Sequence, residues 1–128
     1  MLEIAIVEDE QIAARQLLAG LERCSKEQGF SYHARTFSDG LSFITQYRPE
    51  YDIVFMDIML PQLNGMETAR HLRKLDPHVC LIFTTNMAQF AIHGYEVEAV
   101  DFILKPVTYS RLSSLFQKIL QRLNIQKG

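Results

Sequence analysis

The chain has 128 residues, 48% of them hydrophobic and 22% charged, with a formal net charge of −2. These values suit one soluble domain with a single core, and the charge gives no electrostatic reason to expect nucleic acid or an anionic membrane as a direct partner. No apolar run approaches the ~20 residues of a membrane span, and MLEIAIVEDE lacks the basic start and apolar stretch of a secretory signal, so a cytoplasmic location is expected.

In chain order, LEIAIV (2–7) reads as a short apolar strand ending in acids. Residues 10 to 28 carry Ile12, Ala13, Leu17, Leu18, Leu21 and Cys24 close to helical period. YHARTF (32–37) alternates as a strand, and Leu41, Ile44 and Tyr47 suggest a short helix after Ser38-Asp39-Gly40. DIVFM (52–56) is a continuous apolar strand. Asn64 caps a predicted helix running to Leu75, with Glu67 placed as a capping-box partner. VCLIFTT (79–85) is another buried strand, 87 to 96 a weak helix, and VDFIL (100–104) a fifth strand. Leu112, Leu115, Phe116, Ile119, Leu120 and Leu123 give the cleanest amphipathic helix.

Strand and helix therefore alternate five times. Strands that are apolar throughout indicate a parallel sheet covered on both faces. The expected fold is a doubly wound α/β domain: a five-stranded parallel sheet of order 2-1-3-4-5 with five helices. The domain is expected to occupy residues 1–124, with 125–128 a tail or the start of a linker. Cys24 and Cys80 read as reduced thiols packed as small hydrophobes rather than as a disulfide or metal pair.

In such a sheet, functional groups collect at the carboxyl ends of the strands. Strand 1 ends in Glu8-Asp9, followed by Glu10; strand 3 ends in Asp57, strand 4 in Thr84-Thr85-Asn86, and strand 5 in Lys105-Pro106. Each residue alone has an ordinary structural role, as a cap or a turn. Together they bring acids, a hydroxyl and an ammonium to one edge. Clustered carboxylates raise one another's pKa unless a cation relieves them. All-oxygen ligands favour a hard ion, and Mg²⁺ is expected. Carboxylates, Mg²⁺, a lysine and a hydroxyl suit a phosphoryl group, and attack by Asp57 on phosphorus would give an aspartyl phosphate.

VEDE (7–10), MDIMLPQLNG (56–65), FTTN (83–86) and FILKP (102–106) together resemble the receiver domain of two-component response regulators, over Glu3 to about Leu123. The resemblance implies Asp57 as phosphoacceptor, and Asp9, Glu8 and the Met59 backbone carbonyl as the protein's share of the metal site. It also implies Thr85 as the switch hydroxyl, with Thr84 the runner-up by register, Lys105 as the phosphate-pairing lysine and Phe102 as the switch aromatic. A sensor histidine kinase would be the phosphodonor, and a cis Lys105–Pro106 peptide accords with the family. So does a signal carried to the face of the fourth helix, fifth strand and fifth helix. A homodimer through that face is expected from Phe90, Tyr95, Val97 and Val100. Two features depart from the commonest pattern. The acid pair is Glu-Asp rather than Asp-Asp, and Met59 and Met87 would border the path of attacking water and slow dephosphorylation.

Ala91, Tyr95, Glu96, Ala99, Asp101 and Phe102 further resemble receivers that precede a LytTR-type DNA-binding domain, which implies transcription control by a longer protein. The competing readings are a stand-alone receiver acting by protein contact, an aspartyl-nucleophile phosphatase, an FMN-binding module, and a receiver that is never phosphorylated. Met59 stands where such a phosphatase usually has a second aspartate. The acids at 8–10 would repel an FMN phosphate. A signalling domain with weak self-phosphatase chemistry, rather than a metabolic enzyme, is the leading expectation.

Overall fold

The computed structural model describes residues 1–123, apart from the side chains of Phe90, Ile92 and Tyr95; the proposed tail at 125–128 lies outside the described residues. Five strands, β1 (Leu2–Val7), β2 (Tyr32–Phe37), β3 (Ile53–Asp57), β4 (Cys80–Thr85) and β5 (Asp101–Leu104), form one parallel sheet of order β2-β1-β3-β4-β5. This is the predicted order.

Among the described residues there are four α-helices: α1 (Gln11–Gln28), α2 (Gly40–Thr45) and α3 (Gly65–Leu75) between strands, and α4 (Tyr109–Arg122) after β5. The fourth predicted helix, 87 to 96, is instead a 3-10 helix over Ala88–Val97. Its sequence, AQFAIHGYEV, explains the difference. Aromatic and β-branched residues and Gly94 lower its α-helical propensity, and no single apolar stripe repeats along it.

Alternation along the strands divides the core in two. Ile4, Ile6, Phe55, Ile82 and Ile103 point to one face and pack with Leu17 and Leu21 of α1 and Leu112 and Phe116 of α4. Ala5, Val7, Val54, Met56, Leu81 and Phe83 point to the other and pack with Phe43 of α2 and Leu72 of α3. Every β3 and β4 residue is buried, so both strands read as unbroken apolar runs. Cys24 and Cys80 are free, buried and part of the first cluster, and burial pushes each thiol up to about 11.

Helix ends follow local chemistry. Asn64 accepts from the Glu67 amide at 2.9 Å, as the sequence predicts. Asp39 and Thr108 cap α2 and α4 in the same way. Gly29 closes α1 at φ 73°, a conformation that costs glycine least.

Candidate functional site: a carboxylate cluster at the strand ends

The parallel register decides which polar groups meet. Val7 pairs with Met56, and Asp57 pairs with Thr84. Thus the acids following β1, the last residue of β3 and the hydroxyls ending β4 reach one edge of the sheet. Lys105 follows β5, its amide donating to the Thr85 carbonyl at 2.8 Å.

Lys105 is the hub. Its Nζ lies 2.6 Å from Glu8 Oε1, 3.0 Å from Asp57 Oδ2 and 3.8 Å from Glu10 Oε1. Glu8 and Asp57 are both buried, and Asp9 is exposed. Glu8, Asp9 and Asp57 each offer a carboxylate oxygen, all within 4.8 Å of one another. The Glu10 amide donates to Glu8 Oε2 at 3.2 Å, and the Met59 amide donates to Asp57 Oδ1 at 3.2 Å. These bonds orient both acids. The Lys105–Pro106 peptide is cis, as the family resemblance implies.

The electrostatics are incompletely balanced. Burial, with the nearby Asp57 charge adding to it, pushes the Glu8 carboxyl up to about 7, although the hydrogen bond from Lys105 works against the rise. Burial alone would lower the Lys105 ammonium, but its hydrogen bonds to Glu8 and Asp57 hold it above the usual lysine range. One ammonium thus serves three carboxylates. Two are buried, and all donor atoms are hard oxygens. That donor set fits a Mg²⁺-type cation.

The loop after β3 is shaped by close backbone approach. A Cβ at Gly65 would stand 2.2 Å from the Asp57 carbonyl oxygen and 2.6 Å from Ile58 Cα. The Gly65 amide donates to the Ile58 carbonyl at 2.8 Å. Only glycine lets α3 begin directly against the strand end that carries Asp57.

The two threonines separate cleanly. Phe83 belongs to the α2–α3 side of the core and Ile82 to the α1–α4 side, so alternation sends Thr84 toward α1–α4 and Thr85 toward α2–α3. Thr84 lines a cleft of about 300 Å³ together with Glu8, Glu10, Asn86 and Lys105. Thr85 is fully buried, and its Oγ1 accepts from the Met87 amide at 3.3 Å. Phe102 is half-buried, registers with Phe83 and packs at the edge of the α2–α3 cluster.

The residues that motivated a dimer face behave unevenly. Val97 is buried in the core and offers no free surface, whereas Val100 is half-buried and packs against the core. The side chains of Phe90 and Tyr95 lie outside the described residues. Among the described side chains on that side, Leu104 is a large apolar residue 50% exposed.

Sequence reasoning missed Arg73. Its Nε donates to the Val97 carbonyl at 2.7 Å, Nη1 to those of Val79 at 2.7 Å and Asp76 at 3.4 Å, and Nη2 to that of Glu98 at 3.0 Å. Arg70, one turn earlier, pairs with Glu96 at 3.1 Å. Two arginines on α3 therefore hold the 3-10 helix. Nothing local marks Arg73, because its partners are backbone carbonyls whose side chains are unrelated.

A doubly wound sheet with acids, hydroxyls and a lysine at its carboxyl edge defines a receiver-like signalling domain, and comparison with known proteins agrees. The family model for the response regulator receiver domain matches residues 4–117, and the chain belongs to that family. It is 38% identical over 118 residues to the sensory transduction protein LytT of Bacillus cereus, covering 92% of this chain and 47% of that protein. It is 32% identical over 121 residues to the transcriptional regulatory protein YpdB of Escherichia coli, again covering 92% and 47%. The chain thus spans about half the length of these curated relatives. The response regulatory domain of mrkE from Klebsiella pneumoniae superposes with a TM-score of 0.81 at 29% identity, covering 98% of this chain and all of that one. The BeF3-activated DrrB receiver domain gives 0.75 at 25% identity, covering 95% and 99%.

Proposed function

We propose that Asp57 accepts a phosphoryl group from a sensor histidine kinase in a Mg²⁺-dependent reaction. The single observation that carries this reading is the convergence of Lys105, Glu8 and Asp57, with Asp9 beside them, at the carboxyl edge of the sheet. Glu8, Asp9 and Asp57, with the Met59 backbone carbonyl, would hold the metal. When bound, Mg²⁺ neutralises phosphoryl oxygens that the acids would otherwise repel.

The chain's own groups do the rest. Asp57, oriented by the Met59 amide, is the nucleophile. Lys105 turns from Glu8 and Asp57 to the transferred oxygens, since its ammonium is already poised between them. Thr85 matches the family's switch hydroxyl, and Phe102 stands beside its strand as the aromatic that follows it. Thr85 Oγ1 accepts from the Met87 amide, a bond that still leaves its hydroxyl hydrogen able to donate to a phosphoryl oxygen. The population shift would then reach the 3-10 helix, β5 and α4, and a second copy could bind there around Leu104. Similarity to LytT and YpdB supports a role in transcription control through an output domain in a longer protein, in the cytoplasm.

Incubation with acetyl phosphate, followed by intact-mass measurement, tests the reading. With Mg²⁺ the chain should gain one base-labile phosphoryl group, and with a chelator none. No gain in Mg²⁺, or an equal gain in chelator, contradicts it.

A further inference from the structure

A second, larger cleft borders the carboxylate cluster on the side away from Thr84. Its volume is about 610 Å³, and Asp9, Met59, Pro61, Met66, Arg70 and His93 are among its walls. Nothing in the phosphoacceptor reading uses this space. Asp9 lines it, and the Asp9 carboxylate belongs to the group whose oxygens lie within 4.8 Å of one another, so the cleft adjoins the proposed site of phosphoryl transfer. Its middle is apolar, built from the β3–α3 loop and the first turn of α3. Of its polar walls, Arg70 pairs with Glu96 at 3.1 Å, and His93 Nδ1 also meets Glu96 at 3.3 Å.

We propose that this cleft is the leaving-group subsite of the transfer, and that it favours acyl phosphates with an uncharged, aryl-sized acyl group. The inference rests on Asp57 being the acceptor. A phosphoryl group placed between Asp57 and Lys105 must expel its leaving group away from Asp57, because displacement at phosphorus is in line. Asp9 and Met59 line the cleft, so it adjoins that site, and at about 610 Å³ it is large enough to take a ring. Its charges discriminate. An anionic acyl group would find no partner there, because Asp9 is committed to the metal and the Arg70 guanidinium already has an anionic partner. What remains to be recognised is apolar surface. In the reaction an Asp57 oxygen bonds to phosphorus as the bond from phosphorus to the acyl oxygen breaks. The electron pair leaves with the carboxylate, and no proton moves.

Benzoyl and acetyl phosphate expel carboxylates of similar acidity, so a rate difference between them reports mainly on the subsite. With saturating Mg²⁺ and both donors below saturation, benzoyl phosphate should phosphorylate the 128-residue chain about tenfold faster. His93→Trp, at an exposed position, places an indole in the cleft and should bring that ratio close to one. Without any substitution, benzoate should slow phosphorylation by acetyl phosphate, while equal acetate should not. Equal rates for the two donors with no inhibition by benzoate would overturn the subsite while leaving Asp57 as acceptor. A benzoyl preference unchanged by His93→Trp and insensitive to benzoate would overturn it as well. Failure of both donors to label the chain would remove the acceptor reading itself, and the subsite with it.

Discussion

The last helix and the 3-10 helix are contrasting solutions to the same problem, covering a parallel sheet beside β5. α4 is specified by its own sequence. Leu112, Leu115, Phe116, Ile119 and Leu120 recur at helical spacing and are all buried, and Thr108 caps the first turn. The segment Ala88–Val97 has no such stripe. It is held from outside, by Arg70 through Glu96 and by Arg73 through the carbonyls of Val97 and Glu98. A helix that carries its own pattern is fixed by packing. One held by two arginines can change shape if those contacts change, which is what the proposed signalling face beside Thr85 would require.

The contrast can be broken at either end. Phe116 is fully buried, stacks on Phe30 with centroids 5.0 Å apart and meets Phe55. Phe116→Ala should cost about 3–5 kcal/mol in chemical denaturation and lower protection throughout the sheet, because it opens a cavity in the shared core. An exchange change confined to α4 would contradict that.

Arg73→Ala should act more locally. Losing a guanidinium that satisfies several buried or half-buried carbonyls should cost about 2 kcal/mol. Hydrogen exchange should rise mainly across 88–98 and at the end of α3. Arg73→Lys should recover only part of the protection, since an ammonium cannot reach the same spread of acceptors. A uniform loss across the sheet would mean the 3-10 helix is not separately tethered.

The smallest effect concerns the link between β5 and α4. Burial alone would raise the Asp101 carboxyl, but Arg111, the Phe102 amide and Lys118 hydrogen-bond it and hold it below the usual aspartate range. A lowered folded pKa means stability that is present above the unfolded value of about 3.9 and lost as pH falls through the folded one. Asp101→Asn should therefore flatten the acid limb of a stability–pH profile while changing little between about pH 6 and 8 beyond the constant loss of the ion pairs. An acid limb identical to the parent's would show that Asp101 contributes nothing there.

Much of this architecture is legible before any coordinates. Short, largely apolar runs such as IVFM and CLIFTT, bounded by turn residues, read as strands buried on both faces, and their order follows from the commonest way such strands wind. The site is legible for the same reason: strand ends are punctuated by polar residues, so Glu8, Asp9, Asp57 and Lys105 stand out against the apolar background. The rest depends on distances that no spacing encodes. The preference of Lys105 for Glu8 at 2.6 Å over Asp57 at 3.0 Å is a matter of side-chain reach. That Thr84 faces α1–α4 and Thr85 faces α2–α3 depends on strand parity, which a one-residue shift would reverse. Val97, which the sequence places near a dimer face, is buried in the core. Arg73 looks like any arginine on the last turn of a helix, because carbonyls carry no sequence signature.

The central claim is that the sheet delivers one carboxylate, that of Asp57, to the reacting position. Phosphoryl incorporation from acetyl phosphate in Mg²⁺, compared by intact mass between the parent chain and Asp57→Asn, addresses it most directly. One phosphoryl group on the parent and none on the variant is the predicted result. Equal incorporation in both would place the phosphoryl group on another residue and contradict the account.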